Sequence, residues 1–207
     1  MIGLILDHNG VVCLGNNFYK ERSSRIAKIF GIEWDEELMQ FWKKLYVDAS
    51  LGKLSLKEYY DELSSALNVT LKGDEDDLFV GMEKIIPEIA DVLRIVRRNP
   101  DVKIILLSNY VEEWVVKFLD NRDIRKYFHT VVVSSAIGIR KPNPESFLIT
   151  AKKAGVDIED CIYVGDSVCD LEVCKKLGIR PVFIPGEETD GNGFETIGSV
   201  RDIVKLF

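Results

Sequence analysis

The chain has 207 residues, 46% of them hydrophobic, enough to bury a real core as one ordinary domain or as a core with an inserted lobe. A formal net charge of −7 and a pI near 5.0 leave no basic stripe for a polyanion, so nucleic acid and anionic membrane surfaces are not expected partners. No apolar run approaches the roughly 18 residues of a membrane span, and the N-terminal MIGLIL lacks the basic flank and cleavage site of a secretory signal, so the expected location is the cytosol.

The first strand is IGLIL (2–6), and it runs into the polar cluster DHNG, with Asp7 at its predicted end. From about 15 to 97 no strand is convincing and the period changes to that of amphipathic helices. Leu38, Phe41, Trp42, Leu45 and Tyr46 recur at helical spacing, as do Leu56, Tyr59, Tyr60 and Leu63 behind a Ser55–Glu58 capping box. Pro87 is expected to open a further helix carrying Ile89, Val92, Leu93 and Val96. These apolar positions are expected to form the lobe's own core, with Trp42 or the SLGKLS loop (50–55) as the places where the lobe faces a substrate.

Strand character returns with KIILL (103–107), which ends in SNY and leads into a helix bearing Val111, Trp114, Val115, Phe118 and Leu119. TVVV (130–133), CIYV (161–164), ending in GDS, and PVFI (181–184) complete five strands. Strands that each feed a helix are the grammar of a parallel sheet with crossovers, and ligands bind beyond the carboxyl ends of such strands. The expected fold is α/β, a doubly wound, Rossmann-like parallel core (1–14 and 98–207) interrupted by an all-helical insert (15–97).

Cys13, Cys161, Cys169 and Cys174 lack zinc-type spacing and read as buried or half-buried free thiols. The acidic runs GDEDD (73–77) and GEETDGNG (186–193) read as solvated surface, since neither has the spacing of a calcium loop.

The polar clusters carry the chemistry. A carboxylate at a strand end, such as Asp7, can act as a nucleophile, although it is equally a turn residue before the Asn9-Gly10 pair. Ser108 and Asn109 close the second long strand, and a helix starting near Tyr110 would aim N–H groups and its positive end at an anion; the alternative is that one of the two merely caps that helix. Lys141 stands in GIRKPNPESF, held extended by Pro142, with Asn143 capping a helix that Pro144 opens. Asp166 ends a strand and Asp170 lies one helical turn on, so both can face one cleft; clustered carboxylates need a cation, and oxygen ligands of this kind suit Mg²⁺.

Taken in order, ILDHNGVV, LLSN, RKPNP and GDSVCD resemble the four motifs of the haloacid dehalogenase-like hydrolase superfamily, and the helical insert is similar to the cap of many members. GKLSLKEYYDEL and GIRKPNPESF are most similar to the branch that holds the phosphatase domain of epoxide hydrolases and related sugar-phosphate phosphatases. The resemblance implies attack by Asp7 on a small phosphorylated metabolite to give an aspartyl-phosphate. It implies Ser108 and the Asn109 amide on the phosphoryl oxygens, with Lys141 steadying the charge. Mg²⁺ would be held by Asp7, Asp166, the backbone carbonyl of Asn9, and Asp170 directly or through water.

Phosphatases of that superfamily usually carry a second aspartate where this chain has Asn9. An amide donates hydrogen bonds but exchanges no proton near neutral pH, and general acid–base help is worth roughly 10² to 10⁴ in rate. Three readings follow: a slower phosphatase or one using another donor such as His8, a 2-haloacid dehalogenase-type hydrolase, and a non-enzymatic regulatory protein that binds metal and phosphate.

Overall fold

The computed structural model describes residues 1–14, 18–71, 75, 79–81, 83–186 and 190–207. The two acidic runs lie partly outside these residues.

Parallel strands β1 (Ile2–Asp7), β2 (Val102–Ser108), β3 (Thr130–Val133), β4 (Cys161–Gly165), β5 (Arg180–Phe183) and β6 (Glu195–Thr196) form one sheet in the order β3-β2-β1-β4-β5-β6. The five expected strands are present within a residue or two, and β6 is a two-residue addition at the edge. Since β1 has β2 on one side and β4 on the other, the chain reverses its direction of travel across the sheet beside Asp7. That is the switch point at which open α/β sheets leave a crevice.

Side chains alternate across the strands. Leu4, Leu6, Ile104 and Leu106 face one core, and Ile5, Ile105, Leu107 and Tyr163 the other. The first core continues into the helices α1 (Phe18–Phe30), α2 (Glu36–Ser50) and α3 (Leu56–Leu67), then α4 (Ile89–Val96) and α5 (Glu112–Asn121). The short α6 (Ser134–Ile137) follows β3; α7 (Pro144–Ala154) and α8 (Val168–Lys176) cover the second core.

Local chemistry sets the helix ends. The Ser55 hydroxyl accepts from the Glu58 N–H while the Glu58 carboxylate accepts from the Ser55 N–H, a reciprocal cap worth about 1 kcal/mol. Asn143 caps α7 through the Glu145 N–H, and Pro144 occupies its first turn. Pro87 forms a turn, and α4 starts two residues later at Ile89.

The insert is tied to the core at its base and at its tip. At the base, its two connections run antiparallel: the Leu14 N–H donates to Lys84 O at 2.8 Å and the Ile86 N–H to Val12 O at 3.1 Å. Beside them Arg22 of α1 pairs with Glu83 at 2.9 Å, and Glu83 also meets His8 at 3.2 Å and the Tyr110 hydroxyl. At the tip, the end of α2 docks on the core, where Ser134 Oγ donates to Ser50 O at 2.6 Å and Arg140 reaches Ser50 Oγ. Trp42, a sequence candidate for substrate contact, is wholly buried and donates to the Tyr59 hydroxyl at 2.7 Å. The helix α4 packs on the 3-10 turn Val200–Lys205 and on β2, so a boundary at residue 97 assigns a core-packed helix to the insert.

Candidate active site

The carboxyl ends of β1, β2 and β4 line up because the register sets Asp7 beside Leu107 and Leu6 beside Val164. The loops beyond them bring Asp7, Asn9, Ser108, Asn109, Lys141, Asp166 and Asp170, the full set expected from the sequence, around one cavity of about 290 Å³. Pro142, Ser167 and Cys169 complete its lining. No residue of the insert lines it among those described.

Asp7 is nearly buried, and each of its oxygens has a partner. Oδ1 accepts the His8 N–H at 2.7 Å, and Oδ2 lies 2.6 Å from Lys141 Nζ and 3.1 Å from the Tyr163 hydroxyl. The same ammonium meets Asp170 Oδ2 at 3.1 Å and donates to the Tyr163 oxygen at 2.8 Å. Burial alone would lower the Lys141 pKa, but the Asp170 and Asp7 charges more than reverse this and hold it above the ordinary lysine value. Burial, then the same two carboxylates, pushes the Tyr163 phenol well above its usual range, so it stays a neutral bridge.

The backbone of Lys141 is fixed by Asn109, whose Nδ2 donates to Lys141 O at 2.9 Å while its Oδ1 accepts the Lys141 N–H at 2.8 Å. The side-chain amide of Asn109 is therefore engaged in holding the lysine. The neighbouring helix α5 also differs from expectation: it starts at Glu112, not near Tyr110. The N–H groups of Tyr110 and Glu112 donate to Ser134 Oγ and Ser135 Oγ at 3.0 and 2.9 Å, so side-chain oxygens at the start of α6 take two of the donors expected to face an anion.

Asp166 follows β4, Ser167 takes the N-cap position of α8, and Asp170 sits in its first turn, which turns both carboxylates into the cavity. Two backbones press on Asp166. A Cβ on Gly10, whose φ is +76°, would come within 2.4 Å of Asp166 Oδ2, and one on Gly186 within 2.3 Å. Both positions need glycine for that close approach. The hard carboxylate oxygens of Asp7, Asp166 and Asp170 around one cavity are a donor set suited to Mg²⁺.

Asn9 is exposed at the rim, and its Oδ1 accepts from the Cys13 thiol at 3.1 Å. His8 points the other way. Its ring packs on Phe118 with centroids 4.8 Å apart and meets Glu83, because successive side chains at the strand end face opposite sides of the sheet. The four cysteines are free; three are buried, but Cys169 is exposed in the cavity wall, contrary to the buried or half-buried thiol expected.

Tyr163, Glu83 and Arg22 were not legible as site residues. Tyr163 hides in an apolar strand run, and only its parity with Gly165 and its place three residues before Asp166 hint that its ring runs towards the cleft.

The sequence profile of the haloacid dehalogenase-like hydrolases matches residues 3–178. The chain belongs to that family. A "phosphorylated carbohydrates phosphatase" of Thermotoga maritima is 24% identical over 97% of this chain and 93% of its own length. "Phosphoglycolate phosphatase 1" of Pseudomonas aeruginosa is 29% identical over 58% of the chain. The match spans only 43% of that protein, under half the length of the relative. A family enzyme from Bacteroides thetaiotaomicron, crystallised with magnesium and inorganic phosphate, superposes with a TM-score of 0.75 at 21% identity over 91% of this chain and 96% of its own, a likeness of fold. No helix of the described residues is long and apolar enough to cross a membrane.

Proposed function

We propose that this hydrolase cleaves small phosphate monoesters through an aspartyl-phosphate on Asp7, with Mg²⁺ as its metal. The observation that carries the reading is the 2.6 Å pairing of Lys141 with Asp7 inside a cavity that Ser108, Asp166 and Asp170 also line. Asp7, Asp166 and the backbone carbonyl of Asn9 would hold the ion, with Asp170 as a direct or water-linked ligand. The ion, when bound, supplies positive charge for the phosphoryl oxygens.

The chain's own residues supply the rest. Lys141 steadies the negative charge of both Asp7 and the transferring group, and the Ser108 hydroxyl offers a neutral donor to a phosphoryl oxygen. Asn109 acts by fixing the lysine backbone. The inserted helices form a cap over the cleft, and the substrate is a phosphorylated metabolite of the cytosol. The intact Asp166–Asp170 pair favours a phosphatase over a metal-free dehalogenase.

The test is phosphate release from p-nitrophenyl phosphate with Mg²⁺, which we expect in the native protein and not in Asp7→Asn. No release from the native protein, with none restored by Asn9→Asp, would turn the reading to a metal- and phosphate-binding regulator. Chloride release from a 2-haloacid in the presence of a chelator would turn it to a dehalogenase.

A further inference from the structure

Cleavage of a phosphate ester leaves a negative oxygen on the departing group, and among the described residues the side chains lining the cavity are carboxylates, amides, hydroxyls, a proline ring, Lys141 and the Cys169 thiol. The chain has two histidines. His8 is sealed behind the site against Glu83, and His129 accepts the Ile104 N–H three residues into the seven-residue β2, far from the strand end that carries Ser108. Lys141 directs its ammonium at Asp7, Asp170 and Tyr163, on the side of the attacking carboxylate and so opposite an in-line leaving group. At the rim stands Asn9. Its Oδ1 is held by the Cys13 thiol, which leaves the Nδ2 hydrogens as its donors. An amide can stabilise an oxyanion by hydrogen bonding but cannot give it a proton.

Resting on the hydrolase reading above, we infer that the substrates of this site are phosphates whose leaving group departs as a stable anion, acyl phosphates foremost, rather than esters of simple alcohols. A carboxylate has a conjugate acid of pKa about 4, whereas an alkoxide, like hydroxide, belongs to an acid of pKa about 16. For an acyl phosphate the Asp7 oxygen forms a bond to phosphorus as the P–O bond to the carboxylate breaks, and that carboxylate leaves with the electron pair and takes no proton. Water then attacks the phosphorus of the aspartyl-phosphate; its two protons end on the released dihydrogen phosphate and Asp7 returns as carboxylate. Both steps balance without a protein acid.

The experiment measures kcat/KM with Mg²⁺ for acetyl phosphate, a series of aryl phosphates of graded leaving-group acidity, and glycerol phosphate, in the native protein and in Asn9→Asp. The expected native result is a steep fall as the leaving group becomes more basic, with a solvent deuterium effect on kcat/KM close to unity. Asn9→Asp is expected to raise glycerol phosphate turnover by about 10²- to 10⁴-fold and to leave acetyl phosphate within about tenfold. A shallow native dependence, or a large solvent deuterium effect, would mean that another group donates the proton and would overturn the inference even if the variant failed to fold. Equal gains across the series in Asn9→Asp would overturn it too. Absence of turnover on every substrate would instead sink the hydrolase reading, and this inference with it.

Discussion

Lys141 Nζ and Asp7 Oδ2 form a buried ion pair at 2.6 Å, and Asp170 Oδ2 shares the same ammonium at 3.1 Å. Removing one member of such a cluster leaves the others buried without compensation. Lys141→Met is expected to lose about 3–5 kcal/mol of stability, read from urea denaturation at neutral pH. Activity is expected to fall by about 10²- to 10³-fold in kcat. A variant with native stability and native turnover would remove Lys141 from both roles.

Tyr163 joins all three charged groups through one oxygen. Tyr163→Phe keeps the ring against Phe147, whose centroid lies 5.3 Å away, and deletes only the hydroxyl. Loss of one buried hydrogen-bonding group costs about 1–3 kcal/mol, and the phenol touches the nucleophile rather than bound substrate. The expected kinetic signature is a fall in kcat with KM little changed; a raised KM alone would argue against a positioning role.

Gly10 and Gly31 both have positive φ, +76° and +68°, but only a Cβ on Gly10 would meet a neighbour, Asp166. Gly31→Ala is expected to cost only the left-handed backbone strain, about 1–2 kcal/mol, with activity unchanged. Gly10→Ala should add a displaced Asp166, seen as a higher Mg²⁺ concentration for half-maximal activity. Equal behaviour of the two variants in that titration would show that Asp166 tolerates the crowding.

Glu83 is expected to contribute to the acid limit of stability. Burial by itself raises its pKa, but the hydrogen bond from His8 and the His8 and Arg22 charges more than offset this and hold it below the ordinary value. A carboxylate depressed in the folded state stabilises above its unfolded pKa of about 4.3. That stability is lost as pH falls further, through the folded pKa. Glu83→Gln should therefore lower stability at pH 7 and flatten the decline on acidification. A decline as steep as that of the native protein would place the acid sensitivity elsewhere.

The sheet was legible because parallel strands buried on both faces are nearly continuous apolar runs, as IGLIL and KIILL illustrate. The edge strand Glu195–Thr196 was not, since two polar residues after a glycine-rich stretch carry no period. The motif residues were legible as an ordered set: Asp7 and Ser108 end strands, Asp166 follows one, and Lys141 stands in the proline-framed turn before α7. The hold of Asn109 on Lys141 was not legible: its side chain binds a backbone 32 residues away, a pairing that local spacing does not encode. Arg22 and Glu83 were missed for the same reason, since they meet across a separation of 61 positions in the chain.

The antiparallel pairing of Leu14 with Lys84 and of Val12 with Ile86 means that the chain leaves the core and returns to it side by side. A core so closed does not register how much polypeptide hangs beyond the junction, because each doubling of such an excursion costs only about 0.6 kcal/mol in closure entropy. A lobe of another size could therefore hang from the same junction while the strands that carry Asp7 and Ser108 keep their alignment.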